Sequence, residues 1–138
     1  MKSEIEKRFR GYIFSRPFME ERVPQHVQNI VIRDYCTKQG IQYLLSATEY
    51  AMENSALTLR QLVKDLSSID GIVAYSIFQM PEGDHERQSI FKRVLSLNKE
   101  IHFAVEGLSI YDIETFNHIE NIWQVKKTLP HCESLGIL

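Results

Sequence analysis

The run Ile72–Phe78 (IVAYSIF) constrains the fold more than any other stretch of this chain. It is the most apolar run in the sequence, and turn signals bound it, with Asp70-Gly71 before and Gln79–Gly83 after. A strand with one wet face alternates apolar and polar residues. An unbroken apolar run is the mark of a strand covered on both faces, as the central strands of parallel sheets are. Parallel strands in turn require crossovers, usually helices, to return the chain.

The remaining segments supply both kinds of element. Further strands read at Gly11–Ser15, Gln42–Ala47 and Ile101–Val105. A first helix starts near Pro24, since proline's missing N–H has no intrahelical partner at that position. Val27, Ile30, Val31 and Tyr35 share one of its faces, and Gly40 stops it. A second opens at Thr58, with Gln61 at capping-box spacing and a stripe of Leu59, Leu62, Val63 and Leu66. Asp84 is placed to cap a third, which carries Ile90, Phe91, Val94 and Leu95. The last spans Asp112–Lys127, with Ile113, Phe116, Ile119, Ile122 and Trp123 at helical spacing, and the tail beyond Pro130 reads as irregular, docked by Leu135, Ile137 and Leu138. The expectation is an α/β chain with a single doubly wound, mainly parallel four-stranded sheet and helices on both faces. Residues 1–10 form a charged lead-in, 11–127 the domain and 128–138 the tail.

Composition narrows the class. A length of 138 residues suits one domain. Sixteen Lys and Arg against 18 Asp and Glu leave a net charge of −2, without the basic excess that nucleic-acid binding favours. No nucleic acid is therefore expected as a partner. The two cysteines, Cys36 and Cys132, form no paired motif. There is neither a signal-peptide apolar core nor a run near the ~20 residues a membrane span needs, so a cytoplasmic protein without membrane insertion is expected. His26, His85, His102, His118 and His131 show no metal-ligand spacing, and no glycine-rich phosphate motif occurs, so neither metal nor cofactor is expected.

Ligands of doubly wound folds bind beyond the carboxyl ends of the strands. After the first strand come Ser15, Arg16, Arg22, Gln25 and His26. The two arginines can grip phosphate or carboxylate at two points, and the helix beginning near Pro24 aims its N-terminus at the same place. The end of the second strand delivers Ser46 and Glu49, that of the third Gln79 and then Glu86, and that of the fourth Glu106. Glu49, Glu86 and Glu106 are candidate acid, base or nucleophile for work at a glycosyl bond. The competing account of each is an ordinary solvated or salt-bridged side chain. His102 lies within a strand and reads as structural, and Tyr12, Tyr75 and Trp123 read as core.

The segments GYIFSRPFMEERVPQHVQNIVIRDYC (Gly11–Cys36) and YLLSATEYAM (Tyr43–Met52) resemble the sporadic carbohydrate cluster proteins, a family of bacterial surface-polysaccharide loci. The resemblance implies a part in making an O-antigen or capsule sugar and names no catalytic residue. The order of elements also resembles serine recombinase catalytic domains, a flavodoxin-like or resolvase-like fold whose first strand bears Tyr-x-Arg-x-Ser. Here that stretch reads Tyr12-Ile13-Phe14-Ser15-Arg16, with arginine and serine off that spacing. Arg16-Pro17-Phe18 is loosely similar to the first turn of nucleoside deoxyribosyltransferases, which would make Glu86 their nucleophile.

These observations converge on a cofactor-free isomerase, epimerase, lyase or glycosidase acting on a sugar phosphate or nucleotide-sugar. Two alternatives stand beside it. One is a non-catalytic accessory subunit that forms a homodimer or binds a pathway partner, with Phe116, Ile119 and Trp123 at the interface. The other is an N-glycosidase like the deoxyribosyltransferases.

Overall fold

The computed structural model describes residues 6–17, 23–49, 52 and 55–134, with side chains through 128. Its elements run β1 (Arg8–Phe14), α1 (Gln25–Gln39), β2 (Gln42–Glu49), α2 (Leu57–Lys64), β3 (Gly71–Ala74), α3 (Asp84–Ser96), β4 (Glu100–Phe103), β5 (Leu108–Ile110) and α4 (Ile113–Ser134). Short 3-10 turns stand at Leu66–Ser68 and Ile77–Gln79. The strands form a five-stranded sheet in the order β2-β1-β3-β4-β5. All pairs are parallel except β4 with β5.

The α/β, mostly parallel architecture agrees with the sequence, and several boundaries do not. The apolar run 72–78 is not one strand. It leaves the sheet after Ala74, because Ser76 caps a 3-10 turn whose Gln79 side chain reaches back to the cap N–H. β5 is an unanticipated fifth strand, three residues long and closed on β4 by Gly107 at φ 67°. α2 begins at Leu57 without the Thr58–Gln61 box, and Gly83 rather than Asp84 caps α3. α4 continues through Pro130 to Ser134, where an irregular tail was expected. Leu135, Ile137 and Leu138 lie outside the described residues.

Two unequal cores sandwich the sheet. α2, α3 and α4 pack on one face around Leu59, Leu66, Ile72, Phe91, Phe103 and Trp123. On the other, α1 packs Ile32 and Cys36 against Phe9, Ile13 and Val73. The buried stripe of α1 is therefore Gln28, Ile32 and Cys36, while Ile30 is 62% exposed. Phe116, Ile119 and Trp123 are buried in the domain's own core and offer no interface. Glycine is obligatory at position 71, where a Cβ would stand 2.4 Å from the Glu100 carbonyl oxygen of the adjacent strand.

An ion pair fastens α4. Arg87 of α3, fully buried, donates to both Glu120 carboxylate oxygens at 2.8 and 2.6 Å and to the carbonyls of Pro81 and Glu82 at 3.2 and 3.1 Å. Its guanidinium stacks 4.5 Å over Trp123, which removes the remaining water. A guanidinium satisfied on every side tolerates burial; a stranded partner does not. Arg87→Ala is therefore expected to cost about 3–5 kcal/mol in urea unfolding, by leaving the Glu120 carboxylate uncompensated.

At the amino ends of the strands, Lys7 donates to Glu100 at 2.6 Å, and Glu100 meets His102 Nε2 at 2.8 Å. His102 Nδ1 meets the Tyr35 hydroxyl at 2.7 Å, and Phe9 packs edge-on against the ring, so this histidine is structural. The His102 hydrogen bond, joined by the Lys7 charge, holds the Glu100 carboxyl down at about 2. A depressed folded pKa contributes stability that is complete above the ordinary carboxylate value and lost as pH falls through the folded one. Wild-type stability should thus decline between pH about 4.5 and about 2, and Glu100→Gln should flatten that decline in acid titrations followed by circular dichroism.

Candidate functional site

In a parallel sheet of this order the chain runs from β1 to one side and then crosses to the other. The crevice this opens lies at the carboxyl ends of β1 and β3, where doubly wound folds bind ligands. Diverging strands leave backbone groups there without ladder partners, and buried groups of that kind need others. Two buried glutamines supply them.

Gln28, from the first turn of α1, accepts the Phe14 N–H at 3.0 Å and donates to the Phe14 and Val23 carbonyls, both at 2.9 Å. Gln79, from the turn after β3, donates to Gln28 Oε1 at 2.7 Å. Its own Oε1 accepts the N–H groups of Tyr75 and Ser76 at 3.1 and 3.4 Å. The end of β1 is thereby stapled to the end of β3. Glu106, in the loop after β4, extends the chain of bonds by accepting the Ser76 hydroxyl at 2.8 Å and the Ile77 N–H at 3.0 Å.

On the β2 side Glu49 is fully buried. Its Oε1 accepts from the Tyr12 hydroxyl at 2.6 Å and Leu59 N–H at 3.2 Å, and its Oε2 from the Ser55 hydroxyl at 3.0 Å and Thr58 N–H at 3.1 Å. It thus caps α2 from a neighbouring strand, the task that the capping box was expected to perform. Burial alone would raise the Glu49 carboxyl, but the bonds from Tyr12, Thr58, Leu59 and Ser55 outweigh it and hold the carboxyl below its ordinary value. Burial, then the bond to Glu49, pushes the Tyr12 phenol upward.

Ser15 and Arg16 bridge the two halves. The Ser15 hydroxyl donates to the Glu49 carbonyl at 2.9 Å, and Arg16 donates to the Ser55 carbonyl at 3.1 Å. The Arg16 guanidinium lies 4.1 Å from the Phe14 ring centroid, on the residue that Gln28 grips. Ser15, Arg16, Glu49, Gln79 and Glu106 therefore belong to one connected network across the ends of β2, β1, β3 and β4. Arg16 and Glu106 are the half-exposed charged members of that network, one at the end of β1 and the other after β4.

The other sequence candidates fall elsewhere. Ser46 lies inside β2 opposite Gly11, three residues short of the strand's end at Glu49 rather than next to an end at Ala47. Gln25 and His26 are exposed in the first turn of α1. Glu86 sits on α3 and pairs with Arg60 of α2. Arg22 lies outside the described residues. No cluster of three or more His, Cys, Asp or Glu able to hold a metal occurs among the described residues, and no helix there is long and apolar enough to cross a membrane. Gln28 escaped sequence reading because a glutamine one turn into a helix looks like a solvated residue.

The staple makes a direct prediction. Gln28→Leu keeps the volume and strands the Phe14 N–H and the Gln79 amide, at roughly 1–3 kcal/mol for each buried unpaired group. A Gln28/Gln79 double-mutant cycle in urea should then return a coupling energy of about 0.5–3 kcal/mol.

No family model matches the sequence, and neither does any curated protein. Among solved structures the chain is similar to the N-terminal catalytic domain of TP901-1 integrase, with a TM-score of 0.63 and 12% identity over 90% of this chain and 98% of that one. At that identity the likeness is one of fold: the chain has the architecture of a serine recombinase catalytic domain, as its order of elements suggests.

Proposed function

We propose that this protein is an enzyme of bacterial surface-carbohydrate biosynthesis that acts, without a cofactor, on a phosphorylated or nucleotide-activated sugar in the crevice between β1 and β3. The observation that carries the reading is the connected network at the switch point, with Arg16 at the end of β1 and Glu106 in the loop after β4. The resemblance of Gly11–Cys36 and Tyr43–Met52 to carbohydrate-cluster proteins supplies the pathway.

Arg16 takes the phosphate, its guanidinium already oriented by the Phe14 ring and the Ser55 carbonyl. Glu106 is the acid or base, held by the Ser76 hydroxyl and the Ile77 N–H. Ser15 and Gln79 shape the walls, and Glu49 is a positioning residue that fixes Ser55 and hence the carbonyl that Arg16 contacts. Recombination is the less favoured chemistry. Where the recombinase pattern has arginine and then its serine, this chain has Phe14 and then Arg16.

Ligand-observed NMR against sugar phosphates, nucleotides and nucleotide-sugars, followed in time, tests the reading. The expected result is turnover of one sugar class, abolished in Glu106→Gln. Binding should weaken roughly 10- to 100-fold in Arg16→Ala, the worth of one charged hydrogen-bonded contact. Turnover that survives both substitutions would overturn the site. Binding without turnover would point instead to an accessory carrier, and silence in every mixture to a protein partner.

A further inference from the structure

Away from the strand ends, α2 and α3 lie side by side on the larger core and flank an open groove of about 520 Å³. Both helices return between parallel strands, so they point the same way. Val63 and Ile90, 8% and 7% exposed, form its floor. Its rim is cationic, with Arg60 and Lys64 from α2 and Arg93 from α3, joined by His85 and Ser89. Glu86 is the one carboxylate in the lining, and it is engaged with Arg60.

That pairing leaves an imbalance. Lys64 and Arg93, both exposed, form no ion pair among the described residues, although acidic residues outnumber basic ones in the whole chain. The Arg60–Glu86 pair closes one end of the groove. Lys64 stands one turn beyond Arg60, and Arg93 two turns beyond Glu86, on opposite walls. Two like charges lining one groove over an apolar floor repel, and water screens them less in a concave site than on an open surface. An anion placed between them relieves that repulsion.

We propose that this groove is a binding site for a phosphorylated small molecule, with the phosphate between Lys64 and Arg93 and an apolar body on Val63 and Ile90. The volume lies within the range of small-molecule sites, and a largely apolar floor with a few polar groups is the usual makeup of such a pocket. Arginine supplies a planar fork and lysine a point charge, and both suit phosphate oxygens. The Ser89 hydroxyl, one turn before Arg93, adds a third polar group. The site is independent of the strand-end crevice, since it shares no residue with the network of Arg16 and Glu106.

Titration with adenosine 5′-monophosphate, followed by amide chemical shifts of the whole chain, tests the proposal against adenosine and inorganic phosphate as the separate halves. The expected result is saturable binding of the nucleotide, read from the shifts of α2 and α3, with the strongest affinity of the three probes there. The double variant Lys64→Gln/Arg93→Gln should weaken it about tenfold or more, and Arg16→Ala should leave it unchanged. Both replaced side chains are exposed, and thermal unfolding of the double variant verifies that its fold is intact. Absence of shifts in α2 and α3, or equal binding of adenosine there, would overturn the site. Retention of duplex DNA through Lys64 and Arg93 without nucleotide binding would also overturn it, in favour of a polyanion surface.

Discussion

The hydrogen bond between Gln79 and Gln28 is the tie on which the upper half of this molecule depends. A parallel sheet that is extended first to one side and then to the other must part its two central strands where the direction changes. The parting is useful because it makes a crevice. It is also costly, because it withdraws peptide groups from the ladder where solvent does not reach them. Gln28 satisfies both backbone groups of Phe14, Gln79 satisfies two N–H groups after β3, and the amides satisfy each other. A hydrophobic pair could fill that volume but could not replace those bonds.

The same economy recurs at the other polar sites in the core. Glu49 replaces the cap that Ala56 does not provide, and Arg87 satisfies the carbonyls of Pro81 and Glu82 while it holds α4 through Glu120. In each case a polar side chain is buried at the end of a helix or turn, where backbone groups lack partners. The charged ones connect elements distant in the chain. They define how the layers meet more narrowly than apolar contacts, which permit some sliding.

These side chains also mark what the sequence could not reveal. The parallel α/β class, the four helices and the end of α1 at Gly40 follow from local periodicity and turn chemistry, and the structure agrees. The run 72–78 misled because an apolar run gives no sign of where a strand turns. The bend depends on Ser76 and Gln79 closing a cap within it. The phase of α1 was misjudged because a buried glutamine at position 28 reads as solvent-facing, which made Val27, Ile30 and Val31 look like the core stripe. Of the site, Ser15, Arg16, Glu49, Gln79 and Glu106 were visible as polar residues at strand ends. Their connection was not, since it runs through Gln28, Ser55 and Ser76.

The distance in sequence across the glutamine pair has a consequence for how the protein is made. Gln28 and Gln79 are separated by 51 residues, and β1, which leaves the ribosome before either partner, pairs on one side with β2 and on the other with β3. Contacts of such long range close slowly, because chain entropy is lost before the bonds compensate for it. A nascent chain that stops before β3, at residue 71, can form α1 and pair β1 with β2, yet it holds only half of the crevice and leaves one edge of β1 open. The mouth of the site is thus among the last parts to be assembled. Any factor that shields the free edge of β1 during synthesis would act on the yield of a competent crevice before it acted on the yield of helix.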